Sequence, residues 1–278
     1  MLPYKAPAGV DPDGEAVYPY AMAEDLVALS ARFSRAMRDL RAAFLAGPPS
    51  PGPATPPSGW LSAAGATPLS WADRARLEAV PFRAALADAE LAALAEGGER
   101  CAFWINVYNA LASLSVVELG IRGRLESQAN FPFRTVLVAG GFRWSLDDIE
   151  DGILRGNRPG RGWPWRPFGR RDGRAVLALR DPDLRARFAL DRCTRSSPAF
   201  RAYSAAKIRE ELAAAEADFA AEAFRPVPAE RTIVCSRLFA WWRRDFPGRW
   251  LDDLAYKGWK VRYLPYDGRV AAPRDPMR

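Results

Sequence analysis

The chain has 278 residues and a net charge of +7, from 40 basic and 33 acidic side chains. Apolar residues make up 49%, enough for a sizeable core and too many for a disordered chain. Histidine is absent, which excludes a Ser-His-Asp triad, a Cys-His pair and a zinc site with imidazole ligands.

Only four of the basic residues are lysines (Lys5, Lys207, Lys257 and Lys260); the rest are arginines. Abundant Ala and Pro point to a coding bias, so anionic partners must be argued from where the arginines cluster. Cys101, Cys193 and Cys235 are an odd number without close spacing. Neither a metal knuckle nor a disulfide framework is expected, and no cofactor. The opening MLPYKAPAGVDPDGE lacks the long apolar stretch of a signal peptide. The most apolar window, Cys101 to Ile121, holds Asn106, Asn109, Ser113, Ser115 and Glu118, and suits a buried helix better than a membrane span. A cytoplasmic protein without membrane contact is the expectation.

In chain order, Ala21 to Ala46 reads as an amphipathic helix, with Leu26, Leu29, Phe33, Met37, Leu40 and Phe44 on one stripe. Residues 1–46 are expected to form an N-terminal helical arm. The Pro-rich segment 47–59 is expected to be a stiff linker. Residues 60–278 are expected to form one α+β domain. Within it, a helix is predicted over Asp88 to Glu96, ended by Gly97-Gly98. A strongly apolar helix follows from about Glu99 to Leu119. Thr135 to Val138 and Phe142 to Trp144 pattern as strands turned at Gly140-Gly141. Ser145 and Asp148 fit a capping pattern for a helix to about Leu154.

Val176 to Leu179 and Phe188 to Leu190 pattern as short strands. Ser204 is the predicted cap of a helix bearing Ile208, Leu212, Ala215 and Phe219. Arg231 to Leu238 reads as strand passing into a short helix with Trp241 and Trp242. Trp259 to Leu264 reads as a last strand, and the terminal PRDPMR as frayed. The expected class is α+β: a helix-rich domain with a small, mainly antiparallel sheet, plus the N-terminal helical arm.

The run Cys101-Ala-Phe-Trp-Ile-Asn-Val-Tyr-Asn-Ala-Leu111 is the most distinctive. Asn106 and Asn109 share one helix face, and buried amides there must find partners. They either line a polar cleft, with Tyr108 and Arg187 as further substrate contacts, or clamp the backbone of a neighbouring loop; the clamp is favoured. Glu150, beside Ile149 and Ile153, is either an acid or base or one half of an ion pair. Arg155 to Arg174 contains seven arginines interleaved with Trp163, Trp165 and Phe168, against Asp172 alone. Forked guanidinium groups beside aromatic platforms suit phosphate or single-stranded nucleic acid. Arg158, Arg161, Arg170 and Arg171 are the anion-binding candidates; an exposed loop drifted toward arginine is the alternative. Tyr266 and Asp267 close the last strand as a structural latch.

The run Phe103 to Leu111 resembles the signature of the DUF547 family, a domain of unknown function. The resemblance continues through Ser145 to Arg155, Asp181-Pro182, Phe188-Ala-Leu190, Ser196-Ser197-Pro198 with Arg201 and Tyr203, and Tyr263 to Asp267. It spans roughly Leu77 to Asp267 and implies distant kinship to papain-like or transglutaminase-like thiol enzymes. It also implies a His before the Phe-Ala-Leu block and a Cys between Ser and Pro. Here those positions hold Arg187 and Ser197. A further family Cys position is Arg192, with Cys193 displaced by one. Arginine cannot serve as a general base, and a serine without a base is a weak nucleophile.

The leading expectation is therefore a catalytically degenerate binding or scaffold domain. The rival is an atypical hydrolase or acyltransferase using Ser197 or Cys193, with Glu150. A polyanion binder through 155–174 is the third reading. An anionic ligand or a protein is the expected partner, with nucleic acid the lesser alternative.

Overall fold

A computed structural model describes residues 9–10, 16–17, 26–47, 70–128, 131–160, 164–246 and 256–276. The predicted linker lies outside the described residues apart from Gly47, as do Arg161 and Trp163. The described residues form an α+β fold. Two short strands, β1 (Gly9–Val10) and β2 (Ala16–Val17), pair antiparallel near the N-terminus.

The axis of the main body is α3 (Gly98–Glu118), buried from Arg100 to Val117. A helix apolar on all sides has to be enclosed by other elements. Here α1 (Leu26–Ala46) lies along it and buries Leu29, Phe33, Met37, Leu40 and Phe44 in the same core. The second layer is α2 (Trp71–Ala87), which packs on both. The helix predicted over Asp88 to Glu96 is absent. That stretch holds a single 3-10 turn, Leu91–Ala93, and Gly97, at φ 96, precedes α3 instead of ending a helix. The missing helix lies earlier, as α2. Ser70 caps it, with its Oγ 3.1 Å from Asp73 N, and it tolerates Pro81 in its middle.

The end of α2 explains where the chain stops being helical. Its last carbonyls, on Leu86 and Ala87, accept hydrogen bonds from Gly140 and Gly141 at 2.9 and 2.8 Å. Those glycines turn the hairpin of β3 (Val136–Ala139) and β4 (Phe142–Ser145), which follows the short helix α4 (Phe131–Arg134). Both glycines have positive φ, 54 and 74, as a tight primed turn requires.

Ser145 and Asp148 form the predicted capping box: Asp148 N donates to Ser145 Oγ at 3.1 Å, and Ser145 N donates to Asp148 Oδ2 at 2.9 Å. The helix that follows, Asp148–Leu154, is a π-helix, wider than the α-helix expected.

The strands expected at 176–179 and 188–190 are 3-10 turns, Gly173–Leu177 and Leu184–Ala189. Asp172 and Asp183 explain this. Each accepts from the backbone N–H two residues on and holds that residue's guanidinium, so the chain turns where a strand would extend.

A further layer of the fold runs from α5 (Ile208–Ala223) into β5 (Phe224–Val227), β6 (Thr232–Ser236), α6 (Arg237–Trp242) and β7 (Lys260–Leu264). The sheet order is β5-β6-β7, antiparallel then parallel. An aromatic cluster of Phe188, Phe219, Phe239, Trp242 and Phe246 fills the space beneath it. Ser204 does not cap α5. Lys207 occupies that position, and Ser204 uses both its N–H and its hydroxyl on the Glu211 carboxylate, at 2.9 and 3.1 Å. The C-terminal stretch is also not frayed through 274–275. Arg274 O accepts from Phe200 N at 2.9 Å, Arg274 pairs with Glu222, and Asp275 pairs with Arg38.

Candidate functional site

The site is organised by α3. Asn106 and Asn109 point the same way, and both side-chain amides bind main chain rather than solvent. Asn106 Nδ2 donates to Tyr203 O at 2.9 Å, and its Oδ1 accepts from Tyr203 N at 2.9 Å. Asn109 Nδ2 donates to Ala189 O at 3.0 Å, and its Oδ1 accepts from Asp191 N at 2.9 Å. Each amide behaves like a peptide group of a neighbouring strand. Together they fasten both ends of the segment 189–203, which carries Cys193, Thr194 and Ser197.

Inside that segment Asp191 is the next anchor. Its Oδ2 receives Arg41 Nη2 at 2.6 Å, from α1, and its Oδ1 accepts from Cys193 N at 2.8 Å. Cys193 is held at φ 61, an uncommon conformation for a side-chain-bearing residue. Its sulfur lies 3.8 Å from Ser113 Oγ. Burial pushes the thiol up to about 12, despite the opposing charge of Arg41. A thiol so held carries almost no thiolate at neutral pH.

Ser197 is 1% exposed. Its Oγ accepts from Thr194 N at 3.0 Å and lies 2.9 Å from Thr194 Oγ1. Thr194 Oγ1 in turn meets Tyr266 OH at 2.8 Å, and Asp267 N donates to Ser196 Oγ at 2.8 Å. Tyr266 and Asp267 thus close over the turn that holds Ser197.

The third component is ionic. Arg187, from the turn Leu184–Ala189, places Nη1 2.7 Å from Glu150 Oε1 on the π-helix. Its Nε lies 2.5 Å from Asp245 Oδ2 as an ion-pair contact. Arg192 reaches the same Glu150 oxygen at 2.5 Å. Arg155 forks onto Asp245 with Nε and Nη2 at 3.0 and 2.7 Å, and places Nη1 2.8 Å from Asp151. Arg187 and Arg192 also stand over the Trp242 ring. Three arginines therefore face three carboxylates in a largely buried, charge-balanced network.

The electrostatics follow from this geometry. Burial alone would raise the Glu150 carboxyl, but Arg192 and Arg187 hold it below its ordinary value. Asp245 is likewise held low against its burial, by Arg155 and Arg187. Asp151 is pushed up to about 6 by burial and by Glu150. Asp147, which opens the π-helix, is pushed up to about 7 by burial, then by Glu150 and Asp151. Burial drives the Tyr108 hydroxyl well above its usual range, against Arg192.

The sequence-derived candidates are thus divided. Glu150, Arg187 and Tyr108 belong to one neighbourhood with Arg192. Ser197 and Cys193 sit on the clamped segment, in contact with Thr194, Asp191, Arg41 and Ser113. The side chains of Arg158, Arg170 and Arg171 are exposed, although Arg158 N donates to Asp151 O at 3.1 Å beside the network. Sequence reading missed Asp245, whose partner Arg155 is 90 residues away, and the Arg41–Asp191 pair, 150 residues apart. The Asp151–Arg155 pair had a local signal, its four-residue spacing.

Two of the hollows formed by the described residues bear on the site. One, of about 230 Å³, is lined by Phe188, Phe219, Arg201 and Arg274; the other, of about 680 Å³, lies between the starts of α3 and α5. Neither is lined by Ser197, Cys193 or Glu150. Among the described residues no group of three His, Cys, Asp or Glu side chains could hold a metal ion, and no helix is long and apolar enough to cross a membrane.

An α+β domain with an asparagine-clamped segment and a closed ion-pair network is the class these observations define. Residues 92–220 match the family described as protein of unknown function, DUF547, which bears out the family resemblance over that stretch. The chain contains a DUF547 domain. The matched stretch ends before the Tyr263 to Asp267 block. No curated protein and no solved structure matches the chain.

Proposed function

We propose that this is a DUF547 domain that lacks thiol–imidazole chemistry and acts as a binding or scaffold module. The proposal treats the family as distant kin of papain-like thiol enzymes, in which Cys and His react together. The observation that carries it is Arg187. At the position where the resemblance implies a His, its guanidinium is held between Glu150 and Asp245, and a guanidinium cannot accept a proton. The buried Ser197, with its hydroxyl bonded to Thr194, supports the same reading. The atypical hydrolase reading is disfavoured because burial pushes the Cys193 thiol up to about 12, the Ser197 hydroxyl is bonded to Thr194, and neither residue lines the two hollows described. A cytoplasmic location belongs to the proposal, supported by three free cysteines, all buried.

The test uses two covalent probes on the folded chain at neutral pH. Iodoacetamide should label Cys193 no faster than an ordinary buried thiol, and a fluorophosphonate should leave Ser197 unmodified. Rapid labelling of Cys193 that disappears in Cys193→Ser, or stoichiometric fluorophosphonate labelling lost in Ser197→Ala, would overturn the proposal.

A further inference from the structure

The three-stranded sheet turns one face to the aromatic cluster and the other away from it. Residues directly opposite one another share a face, and successive residues along a strand alternate between faces. The register aligns Arg225 on β5 with Val234 on β6 and Arg262 on β7. Two residues along, it aligns Val227, Thr232 and Lys260, which therefore lie on the same face. Phe224, Ile233, Cys235 and Tyr263 fall on the opposite face and pack in the aromatic cluster. The face with Arg225, Lys260 and Arg262 thus points away from that cluster.

All three cations are exposed, and none has an acidic partner among the described residues. The other residues of the face, Val227, Thr232, Val234, Ser236 and Leu264, are uncharged and carry no aromatic ring. Val234, between the two arginines, is buried, and Thr232 donates its hydroxyl to Glu230 O at 3.0 Å. Partly exposed arginines elsewhere, Arg185, Arg201 and Arg269, each meet an aspartate. Here three like charges stand together unneutralised, a repulsion that an anionic ligand would relieve. With neighbouring strands about 4.8 Å apart, the Arg225 and Arg262 backbones are about 9.6 Å from each other, and Lys260 lies about 6.6 Å from Arg262 along β7.

We infer that this sheet face binds a linear polyphosphate, the chain carried by a nucleoside triphosphate or by inorganic tripolyphosphate, with Arg225, Lys260 and Arg262 each meeting phosphate oxygens. Guanidinium forks match phosphate geometry, and lysine adds a compact point charge. A chain of several phosphates spans anchors at this spacing, which a single orthophosphate does not. Single-stranded nucleic acid is disfavoured, because the face has no ring on which a base could stack. The three strands all lie beyond residues 92–220, the stretch that matches the family. The inference therefore goes beyond the proposed function and does not depend on how Arg187 and Ser197 are read.

The full chain is titrated calorimetrically at low ionic strength with tripolyphosphate, with ATP in the absence of magnesium, and with orthophosphate. Tripolyphosphate should bind, less tightly as salt is added, and orthophosphate much more weakly. ATP that binds like tripolyphosphate supports the inference with a nucleotide as the source of the chain; ATP that binds far more weakly supports it with the inorganic chain. Arg225→Gln, Lys260→Gln and Arg262→Gln should each raise Kd about two- to fivefold, the range of an exposed charge pair. The triple variant should lose at least about tenfold. Replacing Arg170 and Arg171 by Gln, which removes exposed charge elsewhere, should change little. Circular dichroism melting should match wild type throughout, and the single variants serve if the triple variant fails to fold. Absence of tripolyphosphate binding overturns the inference, as does orthophosphate that binds equally well. So does a triple variant that binds like wild type, or an equal loss on replacing Arg170 and Arg171, which would assign the attraction to net charge alone. Tighter binding of oligo(dT) at equal phosphate concentration would also overturn it, in favour of nucleic acid.

Discussion

Arg187 and Glu150 meet at 2.7 Å in the interior, although one lies on a 3-10 turn and the other on a π-helix 37 residues earlier. Glu150 is also the acceptor for Arg192, and Arg187 also contacts Asp245. Removing either charge leaves the buried network unbalanced, and an uncompensated buried ion costs far more than a paired one.

Arg187→Met should therefore lower unfolding stability by about 3–5 kcal/mol, the range found when one partner of a buried pair is removed. Chemical denaturation of the variant beside wild type measures this. Coincident transitions would show that the network is incidental to the fold.

Asn106→Leu should be destabilising for a different reason. It leaves the N–H and C=O of Tyr203 buried without partners, at about 1–3 kcal/mol each. Asn106→Asp should also destabilise, since it buries a charge and exchanges a donor for an acceptor. Thermal melting several degrees below wild type is expected for both. Native melting would mean the amide serves a cleft rather than the fold.

The π-helix makes stability depend on pH. Asp147 and Asp151 are pushed up, to about 7 and about 6, so the folded state holds protons that the unfolded chain has released. Their contribution is fully present below about pH 4, the unfolded carboxylate range. It is lost as pH rises through about 6 to 7. Asp147→Asn should remove much of this decline and raise the melting temperature at pH 8 more than at pH 5. An equal shift at both values would contradict it.

The hairpin turn offers a comparison between two adjacent glycines. Both have positive φ, but a Cβ on Gly140 would lie 2.8 Å from Leu91 Cδ1, while one on Gly141 meets nothing within 4 Å. Gly141→Ala should cost the left-handed backbone penalty alone, about 1–2 kcal/mol. Gly140→Ala should cost more, because Leu91 must also move. Equal losses in the two variants would remove the Leu91 contact from the account.

The sequence alone determined what local pattern and composition control. The long, mostly apolar run fixed α3 as a buried helix, two adjacent glycines between apolar runs fixed the hairpin, and Ser145 with Asp148 fixed the start of the next helix. Each signal lies within a few residues, where spacing and backbone preference act. The absence of histidine likewise determined which chemistries are unavailable. Strand predictions failed at 176–179 and 188–190 because short apolar runs do not reveal their conformation, and an aspartate beside each had already committed the chain to a turn.

Only the tertiary structure decided how the site is assembled. Nothing near Arg155 in sequence announces Asp245, and nothing near Arg41 announces Asp191. The same residue type, arginine, is buried and paired at 155 and 187 yet exposed at 158, 170 and 171. The physical reason is that a guanidinium's role depends on whether a carboxylate reaches it in the low-dielectric interior. That proximity is created by packing between segments far apart in the chain.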